Sequence, residues 1–175
     1  MSECSRSQCP LVVKSEADEG EGLDRDHLPE LGRPPEPRPA DRRAPALTRD
    51  WWESRSPSFD LYVSEPVLQE AAAGDAIPAK KRLELLSDIP VLALTERIIE
   101  LAESLVAEGP IPRKAAGDAL HIATATSYAC EYLLTWNCRH IANAEIQRMA
   151  RLVVRRHGFE LPTICTPEEL MGDEE

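Results

Sequence analysis

The amino-acid sequence predicts an α/β fold built on a mainly parallel sheet. Residues 59–63 alternate in polarity as a strand does, and residues 89–94 form a short, almost wholly apolar run typical of a strand buried on both faces. Stretches with apolar residues three or four positions apart, which indicate helices, separate these and later strand-like runs. Because strands and helices alternate, we expect a parallel sheet covered by helices on both faces.

The individual elements are predicted from their periodicity and from their end signals. Ser64 and Thr95 stand where helix N-caps are expected, and Gly74 and Gly158 stand where helices end. Thr166 and Glu169 have the spacing of a capping box. The predicted strands are residues 59–63, 89–94, 132–136 and 163–165, and the predicted helices are residues 64–73, 79–86, 95–108, 114–128 and 141–157.

Residues 1–46 differ from the rest of the chain. They are polar and rich in proline, and their one apolar run is residues 11–13. Such a segment buries too little apolar surface to offset the entropy of ordering it. We therefore predict a disordered, proline-rich leader over residues 1–46 and a folded domain over residues 47–172, with the adjacent Trp51 and Trp52 docking on its core.

Composition narrows the class of protein. The chain has 175 residues, which is enough for one domain. Its formal net charge of −11 is unusual for a protein that binds nucleic acid over its whole surface. A metal-dependent nuclease remains compatible, because bound cations supply positive charge to an acidic site. No apolar run reaches the roughly 20 residues of a membrane span, and the start lacks a signal-peptide pattern. We expect a cytoplasmic protein.

Cysteine usage argues against a disulfide framework and against a zinc knuckle, because the five cysteines are an odd number without paired short spacings. Cys138 and Cys165 are interpreted as small buried hydrophobic residues rather than catalytic thiols.

Three polar residues are candidates for chemistry, because ligands of open α/β sheets bind beyond the carboxyl ends of the strands. Asn137 follows the predicted strand 132–136, Glu70 lies on the helix after strand 59–63, and Asp118 lies in the first turns of the helix before strand 132–136. Simpler interpretations stay open. Asp118 could complement the helix dipole, and Glu70 could belong to a solvated helix face.

The combination of these residues with their neighbours resembles a known family. The stretch DALHIATA at residues 118–125, followed by YLLTWN at 132–137 and by WNCRHIANA at 136–144, is similar to the second half of a PIN domain. Residues 63–75, which include Glu70, and the closing ICTPEELM at 164–171 resemble one bacterial subgroup of VapC-type PIN proteins. The resemblance spans about residues 48–171 and implies a PIN-like three-layer α/β/α fold.

What the resemblance implies is a Mg²⁺- or Mn²⁺-dependent ribonuclease of the toxin–antitoxin type. By motif, the catalytic and metal-binding positions are Glu70, Asp118 and Asn137, with Thr135 in a supporting hydrogen bond. His121 is interpreted as a packed or supporting residue rather than a ligand. Arg139 and His140 could meet phosphate or cap the following helix. The implied partners are RNA, a small antitoxin protein and a second copy in a homodimer, without a membrane.

The chain also departs from the family. A PIN domain begins with a strand that ends in a metal-binding aspartate, and nothing in residues 1–47 matches that pattern. We therefore expect the central strand to be missing and the metal site to be incomplete, so that metal binding is weak and RNA cleavage is slow or absent. A shifted reading frame is one explanation, because possible codons for residues 34–45 can encode a typical family sequence in another frame. A genuine extension is the other.

These departures leave three hypotheses. The first is a damaged PIN-family ribonuclease, and the second is a non-catalytic PIN-like module that binds RNA or protein. The third is a toxin whose acidic body binds a basic antitoxin segment, which is compatible with either of the others.

Overall fold

The computed structural model of the protein describes residues 11–13 and 39–171, with side chains described from residue 46 onward. Within this part of the chain no helix is long and apolar enough to cross a bilayer. The strands are β1 (Leu11–Val13), β2 (Leu61–Ser64), β3 (Val91–Leu92), β4 (Tyr132–Leu134) and β5 (Thr163–Cys165). The α-helices are α1 (Pro39–Ser54), α2 (Glu65–Ala72), α3 (Ala76–Leu86), α4 (Glu96–Ala107), α5 (Ala116–Ser127) and α6 (Ala144–Arg156).

The described strands form one parallel sheet in the order β3-β2-β1-β4-β5. Leu11 is in register with Leu61 on one side and with Tyr132 on the other. The predicted α/β class with a parallel sheet is confirmed. All carboxyl ends of the strands therefore lie at one edge of the sheet, where the candidate residues were expected.

The prediction that the central strand is missing is wrong. Residues 11–13, inside the predicted leader, form β1 between β2 and β4. Three residues suffice, because the neighbouring strands are themselves short and pair with both edges of β1. Helix α1 also begins at Pro39, so the predicted boundary at residue 46 falls inside a helix. The rest of the predicted leader, residues 1–10 and 14–38, lies outside the described residues.

The sheet has apolar contacts on both faces. In β4, Leu133 packs into the larger core cluster with residues of the helices α2, α4, α5 and α6, whereas Leu134 packs against the fully buried Trp51 of α1. Ile164 and Cys165 of β5 divide between the two clusters in the same way. Since successive side chains of a strand point to opposite faces, the sheet is a middle layer between α1 and the other helices.

Helix ends follow the sequence signals with one exception. Thr95 accepts a hydrogen bond from the Ile98 N–H, and Thr166 and Glu169 exchange the reciprocal bonds of a capping box. Gly158 has a φ of +80°, the left-handed conformation expected after α6. Ser64 stands at the N-cap of α2, but its hydroxyl makes no capping bond, so the predicted side-chain cap is wrong.

The two cysteines predicted to be buried differ. Cys165 is buried in β5, whereas Cys138 is exposed. Cys138 lies in the turn after β4, between the polar residues Asn137 and Arg139, where the chain has already left the sheet. The prediction is confirmed for Cys165 and wrong for Cys138.

Candidate functional site

Asp118 is the buried acid at the carboxyl edge of the sheet. It lies in the first turn of α5, which packs along α4 and contacts β1 and β4. Its side chain is only 8% exposed. A carboxylate so far removed from water requires hydrogen-bond donors, because an unsatisfied buried charge is strongly destabilising.

Both oxygens of the Asp118 carboxylate receive such donors from the loop after β4. Asn137 donates from Nδ2 to Oδ1 at 3.0 Å, and His140 Nδ1 lies 3.1 Å from Oδ2. An ionised carboxylate only accepts hydrogen bonds, so His140 carries a proton on Nδ1 when it makes this contact.

Asn137 is fixed in turn by its own neighbours. Its backbone N–H donates to the Thr135 hydroxyl at 3.0 Å, and its Oδ1 accepts from the backbone N–H of His140 at 3.0 Å. Asp118, Asn137 and His140 thus form a closed ring of hydrogen bonds. The amide of Asn137 turns its N–H groups toward Asp118 and its oxygen toward the turn, and Thr135 has the supporting hydrogen bond that was predicted.

Glu70 is held by a second histidine. His121 Nε2 lies 3.0 Å from Glu70 Oε1, and the His121 side chain is 0% exposed while that of Glu70 is 30% exposed. Burial and this contact agree with the interpretation of His121 as a packed, supporting residue. Each of the two candidate carboxylates therefore has its own histidine partner.

The helices bring Glu70 and Asp118 to the same side of the sheet. His121 follows Asp118 by three positions on α5, so the two side chains lie on one helix face. Because Glu70 of α2 contacts His121, it stands beside the face that carries Asp118. The structure therefore places Asn137 directly on Asp118, whereas Glu70 contacts His121, a neighbour of Asp118 on α5.

Two further buried polar residues mark the carboxyl edge of the central strands. Leu61 and Tyr132 are both registered with Leu11, so two residues three positions further on stand level on either side of β1. They are Ser64, the last residue of β2, and Thr135, which follows β4. Ser64 is 0% exposed, and Thr135 is 1% exposed. In the sequence β1 is followed by Lys14, where the family resemblance calls for an aspartate. Lys14 lies outside the described residues.

The donor set suits a hard divalent cation. Carboxylates are preferred ligands of Mg²⁺, which is usually held by one or two of them together with water and substrate phosphate. Among the described residues, no three His, Cys, Asp or Glu side chains form a cluster that could hold a metal ion. Asp118 and Glu70 are thus of the ligand type that such a cation prefers, and among the described residues they do not form a complete cage.

Sequence reasoning underestimated His140. Contact with phosphate and capping of the next helix were the two alternatives considered, but its ring contacts Asp118 and the cap of α6 is Asn143. The available signal was the spacing of Asn137 and His140, since an asparagine that accepts from the N–H three residues later closes a turn. Arg139 is exposed.

Two surface grooves lie away from these residues. One, of about 300 Å³, borders residues before β2 and β3, and the other, of about 550 Å³, borders residues before β4 and β5. Both are at the amino edge of the sheet.

Comparison with known proteins gives one match. The family model described as PIN domain matches residues 40–146, which include Glu70, Asp118 and Asn137. No curated protein and no solved structure matches the chain significantly.

Proposed function

The chain belongs to the PIN-domain family, a nuclease-type module with a three-layer α/β/α fold, and from this premise we propose that it is a metal-dependent ribonuclease of the VapC toxin type, acting in the cytoplasm. The observation that carries the proposal is the Asp118 carboxylate at the carboxyl edge of the sheet, fixed by Asn137 and His140 and accompanied by Glu70.

In this proposal Glu70 and Asp118 would hold Mg²⁺ or Mn²⁺. When bound, such a cation lowers the pKa of a coordinated water and stabilises charge on the scissile phosphate. Asn137 and His140 orient Asp118, Thr135 fixes the backbone of Asn137, and His121 orients Glu70. The Asn137 oxygen faces the backbone N–H of His140 while its amide nitrogen faces Asp118, so in this geometry Asn137 acts as a donor that positions Asp118.

The proposal is tested by cleavage of a labelled RNA with Mn²⁺ and with EDTA, using the unaltered protein and Asp118→Asn. Asparagine keeps the shape of the side chain but removes its charge. We expect slow cleavage that EDTA abolishes. Asp118→Asn should reduce it by more than the roughly 10- to 100-fold that loss of an outer-shell partner costs a metal site.

Asp88→Asn is the matched control, because Asp88 is exposed and precedes β3 at the amino edge of the sheet. It should cleave at the rate of the unaltered protein. Cleavage that resists EDTA, or that survives in Asp118→Asn, would show that the activity does not use this site.

A second candidate is a non-catalytic PIN-like module that binds RNA or protein. It is favoured by the hydrogen bonds that already occupy both oxygens of Asp118, and by a lysine, Lys14, in the sequence after β1. Binding of Mn²⁺, followed by electron paramagnetic resonance, separates the two. The nuclease must bind Mn²⁺ through Asp118, whereas RNA binding without Mn²⁺ binding or cleavage supports the second candidate.

The toxin–antitoxin assignment concerns partners. We propose that a small antitoxin protein with a basic segment binds the acidic body of this chain, which has a net charge of −11. Co-expression with the neighbouring open reading frame and co-purification test it. Sedimentation of the purified protein tests the proposed homodimer. If the protein is a monomer and does not co-purify with the product of the neighbouring open reading frame, the toxin assignment is contradicted. The nuclease proposal is not affected by that result.

A further inference from the structure

Helix α6 is a concentration of positive charge in an acidic chain. Its 13 residues contain four arginines and one glutamate, a net charge of +3, whereas the whole chain carries −11. Its buried face consists of Ala150, Val153 and Val154, which pack into the larger core cluster. The arginines therefore belong to the outer face of a helix that the core holds in place.

Three of these arginines form a continuous stripe. Arg148, Arg151 and Arg155 are all exposed, and their spacing of three and four residues aligns them along one helix face over about 10 Å. Within the described part of the chain none of the three forms an ion pair. Arg156, by contrast, is paired with Glu108 of α4. The stripe is thus unneutralised by the acidic residues that dominate the rest of the chain.

The stripe lies on the helix that directly follows the loop of the candidate site. The backbone oxygen of Asn137 accepts from the N–H groups of Ile141 and Ala142 at 3.0 and 2.8 Å, and Asn143 then caps α6. Arg148 lies about 6 Å along the helix axis from Ala144, the first residue of α6. The first arginine of the stripe therefore lies in the second turn of the helix that follows the loop carrying Asn137 and His140.

From this geometry we propose that the outer face of α6 binds the phosphate backbone of a single-stranded RNA and leads it to the site at Asp118. Guanidinium groups match phosphate oxygens bidentately and remain charged at every physiological pH. Leu152, which is 53% exposed beside the stripe, offers apolar contact to bases that are unpaired. The inference rests on the proposed function for its choice of RNA.

The test measures binding of a labelled single-stranded RNA of mixed sequence in EDTA, where metal-dependent cleavage is off, by anisotropy at several salt concentrations. Each phosphate contact on a single strand contributes about 0.7 to the slope of log K against log salt. The variant Arg148→Gln/Arg151→Gln/Arg155→Gln should therefore lose about 2 from the slope and bind at least about 10-fold more weakly at low salt.

The control Arg49→Gln/Lys80→Gln/Lys81→Gln removes the same charge from exposed positions on α1 and α3. It should keep the slope of the unaltered protein. Equal slopes in the two triple variants, an unchanged slope in the α6 variant, or no RNA binding by the unaltered protein would each overturn the proposal. So would an α6 variant that keeps RNA but no longer binds a glutamate-rich peptide, because the face would then be a protein-docking surface.

Cleavage separates this inference from the proposed function. If RNA binds through α6 but no EDTA-sensitive cleavage occurs, the RNA-binding surface is supported and the nuclease proposal is contradicted. If the protein cleaves RNA but its binding does not depend on α6, the nuclease proposal is supported and the RNA-binding surface is contradicted.

Discussion

His140 and His121, the histidine partners of Asp118 and Glu70, differ in their surroundings. His140 has a side chain that is 19% exposed and lies in a turn, whereas His121 is 0% exposed and lies within α5. His121 Nδ1 has no hydrogen-bond partner among the described residues, so the ring depends on its single contact with Glu70. His121 therefore joins α2 to α5 as well as orienting a candidate acid.

Replacement of His121 by alanine should be costly. It leaves a cavity in a packed core and removes the partner of Glu70, so we expect the free energy of unfolding to fall by about 2–4 kcal/mol. Urea unfolding followed by circular dichroism measures the change. His157→Ala, at an exposed position after α6, should stay within about 0.5 kcal/mol of the unaltered protein. Similar urea midpoints of unfolding for the two variants would show that the contact between His121 and Glu70 does not stabilise the fold.

Cys165 illustrates how burial controls a thiol. Burial, with a smaller contribution from the Glu169 carboxylate, raises the pKa of the Cys165 thiol from 9.0 to about 11. At pH 8 its thiolate fraction is therefore on the order of 0.001, and the thiolate is the reactive form. Cys138 is exposed in the turn after β4.

Alkylation of the native protein at pH 8, mapped by peptide mass spectrometry, should modify Cys138 at least about 100-fold faster than Cys165. Because the folded-state pKa is raised, the contribution of the neutral Cys165 thiol to stability is complete below pH 9. It is lost as pH rises from 9 toward 11. Cys165→Ala should reduce the loss of stability over that range. Equal alkylation of the two cysteines would contradict the burial of β5.

At the scale of elements, the N-cap residues of three helices differ in the hydrogen bonds that their side chains accept. Asn143 accepts from two N–H groups at 3.0 and 3.2 Å, Thr95 accepts from one at 3.4 Å, and the Ser64 hydroxyl has no partner among the described residues. The stabilisation supplied by each cap should follow this order.

Alanine substitution at the three positions tests the ranking by thermal or urea unfolding. We expect Asn143→Ala to cost about 1–2 kcal/mol and Thr95→Ala about 0.5–1 kcal/mol. Ser64→Ala should be neutral or stabilising, because it removes a buried hydroxyl that makes no bond. A loss at Ser64 equal to that at Asn143 would indicate that the Ser64 hydroxyl is bonded in solution, to water or to a residue outside the described part.

At the scale of the whole molecule, the sheet depends on β1. The strand β1 is hydrogen-bonded to β2 on one side and to β4 on the other. It therefore joins the half of the sheet that contains β3 to the half that contains β5. Without it, backbone groups of both neighbours would face each other across a gap, at the edge beside the candidate site.

Proline at position 12 is a direct test of this arrangement. Val12 is registered with Tyr62 and with Leu133, and proline removes its N–H and cannot be accommodated in a central strand. We expect Val12→Pro to lose at least about 3 kcal/mol of stability or to be insoluble. Val12→Thr keeps both the N–H and a β-branched side chain, and should fold. A Val12→Pro protein as stable as Val12→Thr would show that residues 11–13 are not the central strand.

The sequence predicted those features that depend on residues close together in the chain. Helical periodicity, the β5 residues 163–165, the capping box of Thr166 and Glu169 and the helix end at Gly158 were all readable locally, since each is settled within about one helix turn or one strand. The alternation of these elements then predicted the parallel sheet. The candidates Glu70 and Asn137 came from their places after predicted strands, Asp118 came from its place on the helix before strand 132–136, and the family resemblance supported all three.

Contacts between distant residues were decided by the tertiary structure alone. Residues 11–13 became the central strand because two neighbours pair with them, whereas by themselves they are an apolar run too short to indicate a strand. Strand ends also depended on partners. The apolar run 89–94 yielded only Val91–Leu92, where pairing with β2 exists. The histidine partners of the two acids, 51 positions apart for Glu70 and 22 for Asp118, exist because packing of α2, α5 and the loop after β4 brings them within hydrogen-bond distance, and no local pattern records that packing.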